Sequence, residues 1–361
     1  MKNINKILII IQRSNGDVYL TQPLISSLYE HYKSPQIDIL VNDDTVEVAK
    51  LLPHISNIYQ FSYKKKLTGG LKQEKNILLS IFNKYDLSIN LTASDRSVLY
   101  ARLAAKKSIS AVDINHRKAW WKKLILSHFY YFNPLKNILL NNLESLNLLK
   151  ITHNSVQTPK FFSKVAVEKV KSKLNKKGIT RFIIFHPSAQ YTYKIYPKHL
   201  RDSLLKYLNN LGIPIIITGG KNKIDLNIDS ELPNHKNIYS FIGKTTLIEF
   251  CILSQLSEAY IGMDTLNMHI AASHSKRLFA IFGPTNLKMW APWSNSLKKA
   301  TMIDMPIQTY GEITIFQASM PCVACGKAGC DNNQGKSDCL YNIDPQKIFI
   351  EINKWFKDVK F

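Results

Sequence analysis

Three polar segments each follow a short apolar run, and each carries side chains that could take part in a reaction. The first segment contains Asp17 and lies at 12–18 (QRSNGDV). The second contains Ser188 and Lys194 and lies at 185–197 (FHPSAQYTYKIYP), and the third contains Asp264 and Thr265 and lies at 262–272 (GMDTLNMHIAA). A carboxylate can accept a proton, whereas a lysine, hydroxyls and backbone N–H groups can hold a phosphate. The three segments are therefore candidates for one site.

Asp17 can be interpreted in two ways. Gly16 permits an unusual backbone angle, so the loop can deliver the Asp17 carboxylate beside the N-terminus of the next helix, where it could act as a general base. The same residue type at this position is typical of a helix cap, with Arg13 as its surface partner. The spacing alone leaves both interpretations open.

The second and third segments could receive a diphosphate. Ser188, Lys194 and exposed N–H groups suit such a ligand, although an ordinary polar loop fits the same pattern. Asp264 and Thr265 stand where a helix is expected to begin, so N–H groups there could accept a phosphate and Asp264 could bind a sugar hydroxyl. His269 falls inside that helix, where a core-facing histidine is more often structural than a ligand.

Apolar, β-rich runs alternate with helical patterns along the whole chain. The runs predict strands at 6–11, 37–41, 87–91, 108–112, 181–185, 213–218, 237–242, 259–263 and 277–282. Leu20, Leu24 and Leu28 recur at four-residue spacing and predict a helix over 18–33. The alternation indicates an α/β protein with parallel sheets covered by helices.

The pattern divides into two α/β halves of similar size. We place their boundary within 152–178, where the polar THNSVQTP precedes a Lys-rich helix, and predict domains 1–165 and 166–343. The segment 344–361 is predicted to form a terminal amphipathic helix. Ligands of such sheets bind at the carboxyl ends of the strands, so we expect the candidate side chains to line one cleft between the two halves.

The ordered set of motifs resembles the heptosyltransferases of lipopolysaccharide core assembly, glycosyltransferase family 9. The matching pieces are GDV and TQP at 16–23, KIYP at 194–197, GKTTLIEF at 243–250, and GMDTLNMHIAA followed by FGPTN. They span nearly the whole chain. The resemblance implies the GT-B fold, in which two Rossmann-like domains face each other across a cleft and the terminal helix at 344–361 packs back on the first.

The same resemblance implies inverting transfer of a heptose from ADP-heptose to a Kdo or heptose acceptor of lipopolysaccharide or lipooligosaccharide. Asp17 would deprotonate the acceptor hydroxyl, and Lys194 would neutralise the departing diphosphate. The second domain would bind the donor through Ser188, Lys194, Asp225, Thr245, Asp264, Thr265, Leu266 and His269. The first domain would bind the acceptor through Arg13, Asn15, Arg96 and Arg102, the last two being arginines that could grip carboxylate or phosphate or simply be solvated.

Two departures from the family pattern bear on the donor. Leu266 stands where the family usually has glycine, and its side chain could narrow the approach of the backbone to phosphate. The family often has an acidic pair after the GG turn, whereas this chain offers Asp225 alone. A family member that uses another nucleotide sugar is therefore the alternative.

Four cysteines crowd into 322–339. Cys322, Cys325, Cys330 and Cys339 form C-x2-C-x4-C-x8-C, which could surround one structural zinc ion, with free thiols or a redox pair as the alternative.

No metal is expected in the transfer step, because the leaving group can be neutralised by Lys194 and the sequence shows no obvious Asp-x-Asp clamp.

The chain of 361 residues carries a formal charge of +22, which favours anionic partners. No apolar run approaches the length of a spanning helix, so we expect a cytoplasmic protein that is peripheral at the inner membrane. The segment 116–132, HRKAWWKKLILSHFYYF, suits either a helix lying on an anionic bilayer or a core helix with a basic rim.

Two other functions compete with this interpretation of the sequence. A basic nucleic-acid-binding protein is the alternative from a different class. An NAD-linked Rossmann enzyme is disfavoured because no G-x-G-x-x-G follows a strand.

Overall fold

The computed structural model describes residues 4–114 and 119–359. Internal contacts divide the chain into two compact units, with the division between Lys160 and Phe161. Each unit is built around one sheet, of six strands in the first and seven in the second. The predicted α/β class with two parallel-dominated sheets is confirmed.

The sheet of the first unit is entirely parallel, in the order β3-β2-β1-β4-β5-β6. Its strands are β1 Lys6–Ile11, β2 Gln36–Asn42, β3 Ile55–Phe61, β4 Leu87–Asn90, β5 Lys107–Val112 and β6 His128–Tyr131. The central strands are apolar runs buried on both faces, which is why the sequence predicts them. The edge strands β3 and β6 are half-exposed, and the sequence pattern misses them.

The helices of the first unit are α1 Asn15–Tyr19, α2 Gln22–His31, α3 Val46–Ala49, α4 Tyr63–Ile81, α5 Asp95–Ala104, α6 Trp120–Ile125 and α7 Ile138–Leu148. The predicted helix over 18–33 is thus two helices, although Leu20, Leu24 and Leu28 are buried as expected. Because parallel crossovers are right-handed, the connections that step from β3 through β4 and β5 to β6 place α4, α5 and α6 on one face of the sheet.

The sheet of the second unit has the order β12-β13-β11-β10-β7-β8-β9. Its strands are β7 Ile183–His186, β8 Ile215–Ile217, β9 Ile238–Ser240, β10 Ala259–Met263, β11 Arg277–Ile281, β12 Ile307–Tyr310 and β13 Ile313–Phe316. The sequence predicts β7 to β11. It misses β13 and the edge strand β12, which pairs antiparallel with β13.

The helices of the second unit are α8 Lys164–Asn175, α9 Lys198–Asn209, α10 Lys223–Ser230, α11 Leu247–Leu256, α12 Leu266–Ser273, α13 Leu287–Trp290, α14 Asp338–Tyr341 and α15 Pro345–Asp358. The terminal helix α15 is amphipathic as predicted, and Ile348 and Ile352 are completely buried. It packs on α9, and its Trp355 ring contacts Phe279 of β11 at 5.8 Å. Its return to the first domain stays a prediction.

The segment 116–132 is not one surface helix. His116, Arg117 and Lys118 lie outside the described residues, and the rest divides between α6 and β6. Trp121 packs beside a cluster that contains Val98, and the buried Lys122 ammonium lies 2.8 Å from the Asp95 carboxylate. Only the outer side of α6 therefore presents apolar and basic side chains to solvent.

Candidate active site

Asp17 lies where β1 passes into α1. Ser14 is the N-terminal cap of this helix, and Asp17 is its third residue. The Ser14 hydroxyl donates to Asp17 Oδ2 at 2.6 Å, and the Ser14 backbone N–H donates to the same oxygen at 3.2 Å. The Arg13 guanidinium Nε lies 3.0 Å from Asp17 Oδ1. The capping contacts are therefore present, and Arg13 is an ion-pair partner.

The environment of Asp17 suits a proton acceptor. The residue is only 2% exposed. Burial raises the pKa of the Asp17 carboxyl above its ordinary value, against the opposing effects of the Arg13 charge and the Ser14 hydrogen bonds. A carboxylate with a raised pKa is a stronger base, and its hydrogen bonds hold it in one orientation.

Two amide side chains at the carboxyl edge of the first sheet have buried polar atoms with no hydrogen-bond partner among the described residues. Gln12 follows β1 and Asn42 ends β2, and the pairing of Ile11 with Val41 puts both at the same edge of the sheet. Neither the amide nitrogen nor the amide oxygen of Gln12 has a partner, nor has Asn42 Oδ1. The sequence analysis does not single out these groups, whose signal is their position at the ends of predicted strands.

The predicted acceptor-binding arginines differ in environment. The Arg96 guanidinium lies 3.6 Å from the centre of the Phe61 ring and donates to the Tyr63 hydroxyl at 2.9 Å. Arg102 is exposed in the last turn of α5, and Arg13 lies over the Phe132 ring at 4.5 Å. Arg96 is thus fixed by aromatic contacts near the carboxyl end of β3, whereas Arg102 is solvated.

A cavity of about 670 Å³ opens at the carboxyl ends of β2 and β3 in the first unit. Its lining includes Asp43, Gln60, Ser62, Lys65 and Lys72. Hydroxyl, amide and ammonium groups of this kind can hydrogen-bond sugar hydroxyls and neutralise phosphate or carboxylate. The cavity has the chemistry of a charged-sugar site, and none of these residues is among the predicted site residues.

In the second unit, Lys194 and Asp264 form an ion pair. Lys194 Nζ lies 2.7 Å from Asp264 Oδ2, with side-chain exposures of 24% and 7%. Burial alone would raise the pKa of Asp264, but the Lys194 charge and hydrogen bonds from Lys194 and Thr285 lower it overall. Burial likewise opposes the charge on Lys194, yet Asp264 raises its pKa. Both groups are therefore charged at neutral pH.

The pair lies at the start of α12. Thr265 is the N-terminal cap, but its side chain accepts no hydrogen bond from the backbone N–H groups of the first turn. The half-buried Leu266 occupies the first helical position. An uncapped helix N-terminus beside a lysine is a favourable environment for phosphate.

His269 is inside α12 and 2% exposed. Burial lowers its pKa to about 4, so the ring is neutral at physiological pH. His269 Nδ1 has no hydrogen-bond partner among the described residues. A buried, unpaired ring nitrogen one turn from the helix start is consistent with the predicted donor contact.

The remaining predicted donor residues lie around the neighbouring strand ends. Ser188 is buried just after β7, which pairs with β10 through His186 and Gly262, so Ser188 and Asp264 leave the sheet at the same edge. Asp225 Oδ2 accepts hydrogen bonds from Gly220 N at 2.7 Å and from Asn222 Nδ2 at 2.5 Å. Asp225 therefore braces its own loop, and its donor-binding role stays a prediction, as does that of the half-buried Thr245.

One residue of this edge escapes the sequence analysis. His186 ends β7, and its Nδ1 lies 3.0 Å from Thr218 Oγ1 and 3.1 Å from Asn267 Nδ2. Burial lowers the pKa of His186 to about 4, which keeps the ring neutral. Since Asn267 is the second residue of α12, His186 supports the start of that helix.

The four clustered cysteines are all free. Cys322, Cys325 and Cys330 are exposed, whereas Cys339 is buried. Burial, with smaller contributions from the three neighbouring thiols, raises the pKa of Cys339 to about 11. Across residues 4–114 and 119–359, no three His, Cys, Asp or Glu side chains are arranged closely enough to hold a metal ion.

No helix within the described part of the chain combines the length and apolar character needed to cross a membrane.

The sequence is similar to those of known glycosyltransferases. Residues 80–312 match the model of glycosyltransferase family 9 (heptosyltransferase). Lipopolysaccharide heptosyltransferase 3 of Escherichia coli is 28% identical over 294 residues, covering 79% of this chain and 85% of the relative.

Solved structures show the same fold. The family 9 glycosyltransferase of Veillonella parvula has a TM-score of 0.74 at 17% identity, covering 99% of both chains. The ADP-heptose LPS heptosyltransferase II of E. coli has a TM-score of 0.73 at 16% identity, covering 99% of this chain and 100% of the other. This chain belongs to glycosyltransferase family 9, the heptosyltransferase family.

Proposed function

We propose that this protein transfers a heptose from ADP-heptose to a sugar of the lipopolysaccharide or lipooligosaccharide inner core. The observation that carries the proposal is the Lys194–Asp264 ion pair at the uncapped start of α12. It offers a cation and backbone N–H groups to a nucleotide diphosphate at the carboxyl edge of the sheet, where such folds bind ligands. Family membership supports heptose as the transferred sugar.

The donor diphosphate binds at α12 in this proposal. Lys194 and the N–H groups of the first turn neutralise the negative charge that develops as the nucleoside diphosphate leaves. Asp264 keeps Lys194 charged and in position, and the neutral His269 ring offers Nδ1 to the donor. None of these contacts requires a metal ion.

Asp17 acts as the base toward the acceptor. Its carboxylate removes the proton from the acceptor hydroxyl while that oxygen attacks the anomeric carbon, which inverts the configuration of the transferred sugar. Arg13 and Ser14 hold the carboxylate in place. Gln12 and Asn42, with Asn15 on the same loop, supply polar groups for the neighbouring acceptor hydroxyls, and the Lys65 and Lys72 cavity suits an acidic or phosphorylated acceptor sugar.

The test is replacement of Asp17 by Asn, which leaves the volume and the Ser14 contact nearly unchanged. We expect kcat with ADP-heptose and a purified core acceptor to fall by about 10²- to 10⁴-fold, with ADP affinity retained. Stabilisation against thermal unfolding by ADP measures that affinity. A kcat within about tenfold of the parent value, with ADP binding intact, would refute the assignment.

The donor nucleotide is the least constrained part of the proposal, because Leu266 and the lone Asp225 depart from the family pattern. A second nucleotide sugar is therefore the alternative. Thermal shifts with ADP, UDP and GDP separate the two, since a ligand bound only by the native state raises its stability. A shift with UDP or GDP alone would exclude ADP-heptose.

We also propose that the protein works in the cytoplasm as a peripheral protein of the inner membrane. Its charge of +22 favours an anionic surface, and a lipid-linked acceptor would be presented there. Fractionation of cells into soluble, salt-released and detergent-released protein tests this. Release by salt is the expected result.

We further propose that Cys322, Cys325, Cys330 and Cys339 hold one structural zinc ion. The support is the C-x2-C-x4-C-x8-C spacing, which supplies four thiolates, a donor set that zinc prefers. In the structure no three of them lie close enough to hold an ion, so zinc binding would have to draw them together. Metal analysis of the purified protein should find one zinc per chain, lost in Cys322→Ser/Cys325→Ser. A metal-free parent that unfolds at the same temperature with and without added zinc would refute the site.

A further inference from the structure

The layer of α4, α5 and α6 exposes large apolar side chains in unusual number for a soluble surface. We define the apolar face by its six exposed members: Leu79, Phe82, Leu99, Leu103, Trp120 and Leu124. Trp120 and Leu124 are 65% and 73% exposed, and Leu79 is 64% exposed. Exposed apolar residues that are scattered singly need no explanation, whereas a contiguous group marks an interaction surface.

The six side chains share one surface because of helical spacing and helix contacts. Leu99 and Leu103 are four residues apart on α5, as are Trp120 and Leu124 on α6, so each pair projects from one side of its helix. The backbone N–H of Asn83, next to Phe82, donates to the Leu103 carbonyl at 2.8 Å. The end of α4 therefore adjoins the end of α5.

Basic side chains accompany the apolar ones at the same spacing. Lys75 lies four residues before Leu79, Arg102 three after Leu99, and Lys123 three after Trp120; all three cations are exposed. None of them belongs to an ion pair among the described residues.

The carboxylates of these helices are already engaged. Asp95 pairs with the buried Lys122, and Glu74 accepts a hydrogen bond from the Tyr100 hydroxyl. The apolar face is therefore bordered by three cations that have no carboxylate partner among the described residues. One of them, Lys123, donates to the Tyr131 hydroxyl at 2.8 Å.

We propose that the apolar face is the surface by which the protein docks on an anionic lipid bilayer. Tryptophan is enriched at the headgroup level of membranes, and the long stems of lysine and arginine let their charges reach lipid phosphates while the stems stay apolar. Lysine is depleted from protein–protein interfaces, which argues against a protein occupant. The inference rests on the proposed function in one respect, since a lipid-linked acceptor requires an enzyme that reaches the membrane surface.

The test is cosedimentation of the full chain with phosphatidylcholine vesicles, with and without phosphatidylglycerol. The parent should bind the anionic vesicles, and added salt should release it. Trp120→Ser/Leu124→Asp should reduce binding at least tenfold. Leu103→Asp has a matched control in Leu148→Asp, because both leucines are 37% exposed and Leu148 lies on α7, outside the α4–α6 layer. Leu103→Asp should weaken binding and Leu148→Asp should not.

The contradicting outcomes are distinct. Equal binding of the parent and the double variant to anionic vesicles would overturn the docking face, as would a parent dimer in solution that Leu124→Asp dissociates. Unfolding temperatures equal to that of the parent verify that the variants are folded. Transfer to a lipid-free, water-soluble acceptor is measured in parallel: if it is intact while docking fails, only the docking inference is lost, and if the parent lacks it, the proposed function is wrong.

Discussion

Replacement of Lys194 by Met separates the two roles of the Lys194–Asp264 ion pair. Methionine approximates the shape of the lysine stem but removes the charge, so Asp264 is left 7% exposed without its cation. The variant should lose both stability and turnover, for different reasons that can be measured separately.

The magnitudes follow from burial. Removal of one partner from a fully buried pair costs about 3–5 kcal/mol, and since 24% of Lys194 is exposed we expect about 2–3 kcal/mol. The Lys194 charge is the main cause that lowers the pKa of Asp264 against the effect of burial. Without Lys194, burial should raise this pKa. The loss of stability should therefore be large at pH 8 and shrink in acid, where the carboxyl is protonated. Loss of one cation at the leaving diphosphate should lower kcat by about 10²- to 10³-fold.

Urea unfolding at pH 8 and pH 4 measures the first effect, and turnover of ADP-heptose measures the second. Lys198→Met is the matched control, because Lys198 forms an exposed i,i+4 pair with Asp202 that contributes no more than about 0.5 kcal/mol. Lys194→Met/Asp264→Asn removes the uncompensated charge, so it should recover stability without recovering turnover. A single variant as stable as the parent at pH 8, or within threefold of its kcat, would refute the reasoning.

Three further predictions concern residues of the same sites. Burial raises the pKa of Asp17, so the charged carboxylate destabilises the fold as the pH rises through that pKa. Asp17→Asn should therefore unfold at a higher urea concentration than the parent at pH 8, and at the same concentration at pH 3. Equal unfolding midpoints at pH 8 would contradict this prediction. The pKa of His186 is lowered to about 4, so the stability that the neutral ring contributes above pH 6.5 is lost as the pH falls toward 4. In His186→Gln, the free energy of unfolding by urea should therefore depend less on pH over this range. An unchanged pH dependence would argue against this prediction. Leu266→Gly should tighten ADP binding several-fold by calorimetry while costing about 1 kcal/mol of stability, and weaker binding would show that Leu266 contacts the nucleotide favourably.

The central strands and the placement of the site could be predicted from the sequence because both depend on local patterns. β1 and β7 are continuous apolar runs, and the polar residues that follow them must emerge at the carboxyl edge of a parallel sheet. Asp17, Ser188 and Asp264 all occur where this argument puts them. The polar side chains at each of these strand ends can therefore be predicted from the sequence alone.

What the sequence could not supply are contacts between residues distant in the chain. The Lys194–Asp264 pair joins positions 70 residues apart, and the His186–Thr218 hydrogen bond joins positions 32 apart. The edge strands β3 and β12 lack an apolar run because one face of each is solvated. Neither periodicity nor composition encodes such partnerships.

Ser14 illustrates how one residue can constrain both folding and reactivity. Since Ser14 is the N-terminal cap of α1 and its hydroxyl also orients the Asp17 carboxylate through a hydrogen bond, a substitution at position 14 changes both properties. Cysteine would lengthen the bond, threonine would add a methyl group beside a half-buried loop, and alanine would free the carboxylate to rotate. Tuning of the base in this protein should therefore proceed through Arg13, whose charge acts on the opposite oxygen and leaves the helix start untouched.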